Sequence, residues 1–218
     1  KDLHLSRRIV SYIEDKGGRA GISVSNIEGV VAEDFPLKDI PGDTECIMVL
    51  GGDGTLIRAA TKVESLGIPL IGVNLGTLGY LCELEESTVF EAIDRLMADN
   101  CTLEERIMIS AQIDGSEHTQ LALNDVVIHW AGDLSMLQMR VYVNGKFLTT
   151  YHADGIIVAT PTGSTGYNLS AGGPIVDPKS NMLLLTPINA HDLNGQSIVL
   201  SADDVVEIEM GSRRFQKD

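Results

Sequence analysis

Five apolar residues, Cys46-Ile47-Met48-Val49-Leu50, run without a break into Gly51-Gly52-Asp53-Gly54-Thr55, and this junction constrains the fold more than any other part of the chain. A short continuous apolar run has the character of a strand buried on both faces. Past the glycines, Leu56, Ala59, Ala60 and Val63 recur at helical spacing, and Pro69 to Val73 reads as a second buried strand. Strand, glycine turn, helix, strand is a βαβ unit, so the N-terminal part of the chain is expected to be Rossmann-like α/β.

The junction also carries chemistry. Glycines at the carboxyl end of a buried strand permit positive φ and let backbone approach a ligand closely. The following helix aims its N-terminus at the same spot, where a phosphate meets N–H groups and the positive end of the dipole. An anionic Asp53 beside an anionic ligand is unfavourable unless it accepts a proton or faces a cation, which points to a general base. A plain helix cap is the alternative for Asp53, since glycine turns are common punctuation.

Elsewhere in this half, Leu5, Ile9, Tyr12 and Ile13 predict a helix over 3–16 that stops at Gly17-Gly18. A further helix is expected over 87–97, with Ser87 as N-cap and Val89, Phe90, Ile93, Leu96 and Met97 facing a core. The period then changes. Positions 107, 109, 111 and 113 alternate, Asp114-Gly115 supplies a hairpin turn, and Leu121 to Trp130 reads as one extended run. Strands follow at 136–143, 147–151, 155–159, 182–186, 197–200 and 205–210, with Asn144-Gly145 as a second hairpin turn. The expected organisation is an α/β domain over 1–100 and a β-rich, sandwich-like domain over 101–218. A chain that starts on a helix and stops just after a strand also reads as an excerpt of a longer one.

Residues 154–174, DGIIVATPTGSTGYNLSAGGP, place a hydroxyl- and glycine-rich turn after a strand. Thr162, Gly163, Ser164 and Thr165 offer neutral donors to phosphate oxygens or ribose, and Gly172-Gly173-Pro174 forces another sharp turn. A bland loop is the alternative. Neither glycine turn matches the GxxxxGK[ST] phosphate loop, and no GxGxxG is present.

Composition narrows the partners. With a net charge of -15, a pI near 4.6 and 44% hydrophobic residues, the chain builds a proper core and repels nucleic acid and anionic membranes. Cys46, Cys82 and Cys101 show no metal or redox spacing, and no stretch approaches the roughly 18 apolar residues of a membrane helix. A soluble cytoplasmic protein with reduced thiols is expected.

Taken together, GGDGT at 51–55, NLGTLGYL at 74–81, LND at 123–125, DGIIVATPTGSTGYNLSAGGPIVDP at 154–178 and TPINAHDL at 186–193 resemble the NAD kinase family, in order and spacing, over almost the whole chain. GGDGT alone is shared with diacylglycerol and sphingosine lipid kinases and is similar to the 6-phosphofructokinase turn, whereas TPTGST…SAGGP is particular to the NAD kinases. The resemblance implies transfer of the terminal phosphate of ATP or polyphosphate to the adenosine 2′-hydroxyl of NAD. It implies Mg²⁺ (or another divalent cation) carried with the donor, no metal ligands on the protein, and a homodimer or homotetramer.

By the same resemblance Asp53 is the base. Gly54, Tyr80, Asn124, Asp125, Asp154, Thr165, Gly166, Tyr167 and Ser170 line the NAD site. Gly51, Gly52, Thr55, Arg58, Thr162, Gly163 and Ser164 are assigned to phosphate, although Arg58 also reads as part of a solvated helix face. Asp125 replaces the usual glutamate and reaches about 1.3 Å less far. Thr77 stands where histidine is frequent, Gly166 where alanine is, and Gly195-Gln196 where an arginine often lies. His152 and His191 receive no role, and Trp130, Met136 and Met139 read as strand packing. Competing readings are a lipid kinase, which the acidic composition disfavours, and a non-catalytic NAD(P)-binding regulator, which retention of Asp53 disfavours.

Overall fold

The computed structural model describes residues 3–23, 40–76, 79–130, 137–191 and 195–211. They fall into two compact units that divide after Leu103.

In the first unit, α1 (His4–Asp15), β1 (Ile47–Leu50), α2 (Asp53–Val63), β2 (Leu70–Asn74), β3 (Leu84–Glu85) and α3 (Val89–Met97) follow one another. The sheet order is β1-β2-β3, parallel throughout. Leu5 and Ile9 of α1 and Val89 and Ile93 of α3 bury one face of the sheet against Met48, Leu50 and Val73. The other face is held close to α2, because a Cβ on Gly72 would stand 3.1 Å from Leu56 and 2.8 Å from the Cys82 sulfur. α1 stops as the glycine pair predicts: Gly17 adopts φ 85°, Gly18 N–H donates to Ile13 O and Gly17 N–H to Glu14 O, both at 2.9 Å, in a Schellman arrangement.

The second unit holds β4 (Ile109–Gln112), β5 (Thr119–Ala122), β6 (Asp125–His129), β7 (Leu137–Val143), β8 (Lys146–Ala153), β9 (Gly155–Ala159), α4 (Tyr167–Ser170), β10 (Met182–Ile188), β11 (Ile198–Ser201) and β12 (Val206–Met210). They form antiparallel sheets β11-β10-β9-β6, β12-β7-β8 and β4-β5. Leu137, Met139 and Val141 of β7 and Tyr151 and Ala153 of β8 pack on Ile156, Val158 and Leu185 of the four-stranded sheet, which makes a two-layer core. On the far face of that sheet, Ile157, Ala159, Leu184 and Ile188 are covered by Ala171 and Val176. Every residue of β9 is therefore buried, as its unbroken apolar sequence requires.

Several expectations need correction. The run from Leu121 to Trp130 is broken at Leu123-Asn124, so β5 and β6 belong to different sheets. Trp130 is 40% exposed and Ile113 80% exposed, so neither packs in the core, whereas Met139 is fully buried. Thr88, not Ser87, precedes α3, and its hydroxyl accepts from Glu85 N–H at 3.1 Å rather than capping the helix. The two-residue β3 and the single turn of α4 are too short to leave a periodic signal in the sequence. Thr77 and Met136 lie outside the described residues.

Candidate active site

Asp53 opens α2, and its carboxylate turns away from the helix. Gly52 is the N-cap residue, and no side chain caps the first turn. Oδ2 accepts from Tyr80 N–H at 2.7 Å, while Oδ1 accepts from Leu81 N–H at 3.2 Å and Cys82 N–H at 3.3 Å. The capping alternative is thus excluded. A carboxylate offers about four lone-pair sites, so three amides leave one, on Oδ2.

None of Gly51, Gly52 and Gly54 has positive φ, and of the three only Gly51 is required by close approach. A Cβ on Gly51 would lie 2.7 Å from Thr55 Oγ1, and Gly51 N–H donates to Val73 O at 2.9 Å, which anchors the turn to β2. Gly52 and Gly54 are exposed. Arg58 is exposed as well, but it folds back so that its guanidinium donates to Thr55 Oγ1 at 3.4 Å, bringing positive charge to the turn. Tyr80 is 77% exposed. Beneath the turn, Cys82 is buried and its thiol donates to Gly51 O at 3.7 Å. Burial, and then the neighbouring Asp53 carboxylate, push that thiol pKa up.

The second cluster forms where β5 breaks from β6. Thr160, just past β9, donates its hydroxyl to Leu123 O at 2.6 Å and its N–H to Asn124 O at 2.8 Å. Gly163 sits so close to the Asn124 backbone that a Cβ there would overlap it, and its N–H donates to Thr160 Oγ1 at 3.1 Å. A Cβ on Gly166 would fall 3.7 Å from both Asn124 Nδ2 and Asp125 Oδ2, so the Asn-Asp pair and the Thr-Gly-Ser turn converge. Asn124 Oδ1 is buried and has no hydrogen-bond partner among the described residues. Burial raises the Asp125 pKa.

Inside this turn most donors are already engaged. Ser164 is fully buried, with its hydroxyl bridging Val176 N–H and O at 3.3 and 3.4 Å. Thr162 is 5% exposed and accepts from Arg106 at 3.3 Å. The outward positions are Thr165 and Gly166, half-buried, and Tyr167 and Ser170, exposed. Asp154 stands at the corner between β8 and β9, where Oδ2 accepts from Asn189 at 3.0 Å and Oδ1 lies 3.7 Å from His191 Nε2.

Sequence reasoning missed four residues here. Asn168, fully buried, donates to Ser164 O at 3.1 Å and Pro174 O at 3.0 Å and accepts from Thr186 at 2.7 Å, and only a side-chain-free Gly173 leaves room for it. Arg106, paired with Glu104, steadies Thr162. Gly79 and Cys82 frame Asp53. Of these, Gly79 lies in the NLGTLGYL motif and Asn168 in the glycine-rich stretch 154–174, and an asparagine among turn glycines is the one signal the sequence carries for it.

An exposed glycine turn and an uncapped helix start at the carboxyl end of a parallel sheet are the features by which α/β units commonly receive phosphate, here in one chain with a β-rich unit. Residues 21–101 match the ATP-NAD kinase N-terminal domain and residues 123–216 the ATP-NAD kinase C-terminal domain. Over 218 residues the chain is 65% identical to an NAD kinase of Agathobacter rectalis, spanning all of this chain and 77% of that protein. An NAD kinase of Lachnoclostridium phytofermentans is 42% identical over all of this chain and 78% of its own length. Among solved structures, an NAD kinase from Archaeoglobus fulgidus in complex with ATP superposes with a TM-score of 0.77 at 25% identity, covering 100% of this chain and 82% of that one. Yeast NADH kinase complexed with NADH gives 0.72 at 30% identity, covering 82% of this chain and 54% of that one. The chain belongs to the NAD kinase family.

Proposed function

We propose that the protein transfers the terminal phosphoryl group of ATP, or of polyphosphate, to the adenosine 2′-hydroxyl of NAD, giving NADP. The observation that carries the reading is the Asp53 carboxylate, oriented by three amides with one lone-pair site to spare beside an uncapped helix start. Phosphoryl transfer asks for positioning, charge neutralisation and an oriented nucleophile. In the proposed step Asp53 Oδ2 takes the 2′-hydroxyl proton, the ribose oxygen bonds to the γ-phosphorus, and the bond to the bridging oxygen breaks to release ADP. The Gly52 amide, with Thr55 and Arg58, is assigned to the transferring phosphate, and Gly51, whose N–H is held by Val73 O, serves it by shaping the turn.

Gly54, Tyr80, Asn124, Asp125, Asp154, Thr165, Gly166, Tyr167 and Ser170 are assigned to NAD. The unpartnered Asn124 Oδ1 supports this, because a buried acceptor calls for a donor such as an amine or hydroxyl. Gly163 and Ser164 serve the phosphate site by shaping the turn, since the Gly163 N–H and the Ser164 hydroxyl donate within the protein, and Thr162, which accepts from Arg106, keeps its hydroxyl proton to donate. We place the divalent cation on the donor phosphates, where it supplies charge neutralisation.

The ATP and NADH complexes of solved relatives support both ligand classes. No helix among the described residues is long and apolar enough to cross a membrane. Cytoplasmic location and a homodimeric or homotetrameric state belong to the same reading. Incubation with NAD, ATP and Mg²⁺ should yield NADP. Asp53→Asn should abolish turnover while NAD affinity, followed by calorimetry, stays within twofold; an undiminished rate rejects Asp53 as the base.

A further inference from the structure

We infer that Gly79, with the backbone amides of Tyr80, Leu81 and Cys82, is the positioning device of Asp53, fixing its carboxylate so that one oxygen, Oδ2, is left to receive the proton. The inference rests on the reading of Asp53 as the base and extends it to the residues that set its geometry.

Glycine at position 79 is demanded by what lies against it: a Cβ there would overlap both carboxylate oxygens and the carboxyl carbon of Asp53. The bare Cα brings the chain close enough for the next three amides to point at one side chain. Oδ1 receives two of them and Oδ2 one, so the pair of oxygens is made unequal. The far end of the run is pinned. Cys82 is 4% exposed, its sulfur rests where Gly72 leaves space, and its thiol reaches the Gly51 carbonyl of the glycine turn itself. The cradle and the turn it serves are thereby one piece of structure.

A general base misplaced by about 1 Å costs on the order of 10²-fold in rate. Gly79→Ala, which displaces the carboxylate, should lower kcat about 10²-fold while KM for NAD and for ATP stays within twofold. Loss of folded protein would also lower kcat, so the discriminating test is a cycle with Asp53→Ala, read in melting temperature. Gly79→Ala should lower Tm in the presence of Asp53 and leave it unchanged in the Asp53→Ala background, where the added methyl has room.

An additive cycle, or a wild-type kcat in Gly79→Ala, overturns the inference. If Gly79→Ala alone fails to fold, the double variant should restore soluble protein, and its failure to do so also overturns it. Full activity in Asp53→Asn would instead remove the base assignment, and the melting cycle would still report whether the cradle exists.

Discussion

Asp125 illustrates how a single desolvated carboxyl works against stability at neutral pH. Desolvation raises its folded-state pKa, while in the unfolded chain it titrates near the ordinary value of about 3.9. The native state therefore holds the proton to higher pH than the unfolded state does. Its favourable contribution is complete below about pH 3.9 and is lost as pH rises through the elevated folded value. Asp125→Asn should accordingly raise Tm at pH 7 and leave it nearly unchanged at about pH 3, which paired thermal melts would show. Asn124, next to it, carries a related burden: its Oδ1 has no partner among the described residues, and an unsatisfied buried acceptor costs about 1–3 kcal/mol. Under the proposed assignment of both residues to NAD, hydrogen bonds donated by the ligand would offset both costs.

At the scale of elements, the joint between β5, β6 and the turn after β9 is closely packed, because a Cβ on Gly163 would stand 2.1 Å from Asn124 O. Gly163→Ala would drive a methyl into the Asn124 carbonyl, carbon and Cα, all backbone atoms with little freedom to yield. Overpacking of this kind costs about 1–3 kcal/mol, which a shift in the urea midpoint would register, and NAD affinity should fall with it because Asn124 and Asp125 move. This joint was also the least legible part of the chain. Leu121 to Trp130 reads as one strand because nothing in its own sequence announces the break; the cause is Thr160, far along the chain, which claims the carbonyls of Leu123 and Asn124. The same holds for β3, two residues long and paired only with Val73 and Asn74.

By contrast, α1, α2 and α3 and both hairpins were legible because their signals are local: apolar spacing, Gly17-Gly18, and turns at Gly115 (φ 77°) and at Asn144 and Gly145 (φ 51° and 72°). In the site, the glycine turn and Asp53 could be read from residue type and position. The amides that hold Asp53 could not, since backbone donors leave no mark in a sequence.

For the molecule as a whole, a net charge of -15 on 218 residues means self-repulsion that added salt will screen. Raising ionic strength from about 0.01 M to about 0.15 M shortens the Debye length from about 30 Å to about 8 Å, and Tm should rise accordingly in a scanning-calorimetry series. Composition thus speaks to colloidal behaviour, whereas the two-unit architecture comes from the order of periodic segments along the chain. Asp154 adds a consequence of its own. β8 and β9 are one nearly continuous length of chain that leaves the three-stranded sheet and enters the four-stranded one at that single residue. Neither layer of the sandwich can peel away without dragging the other by this shared cord, so the second unit should come apart all at once.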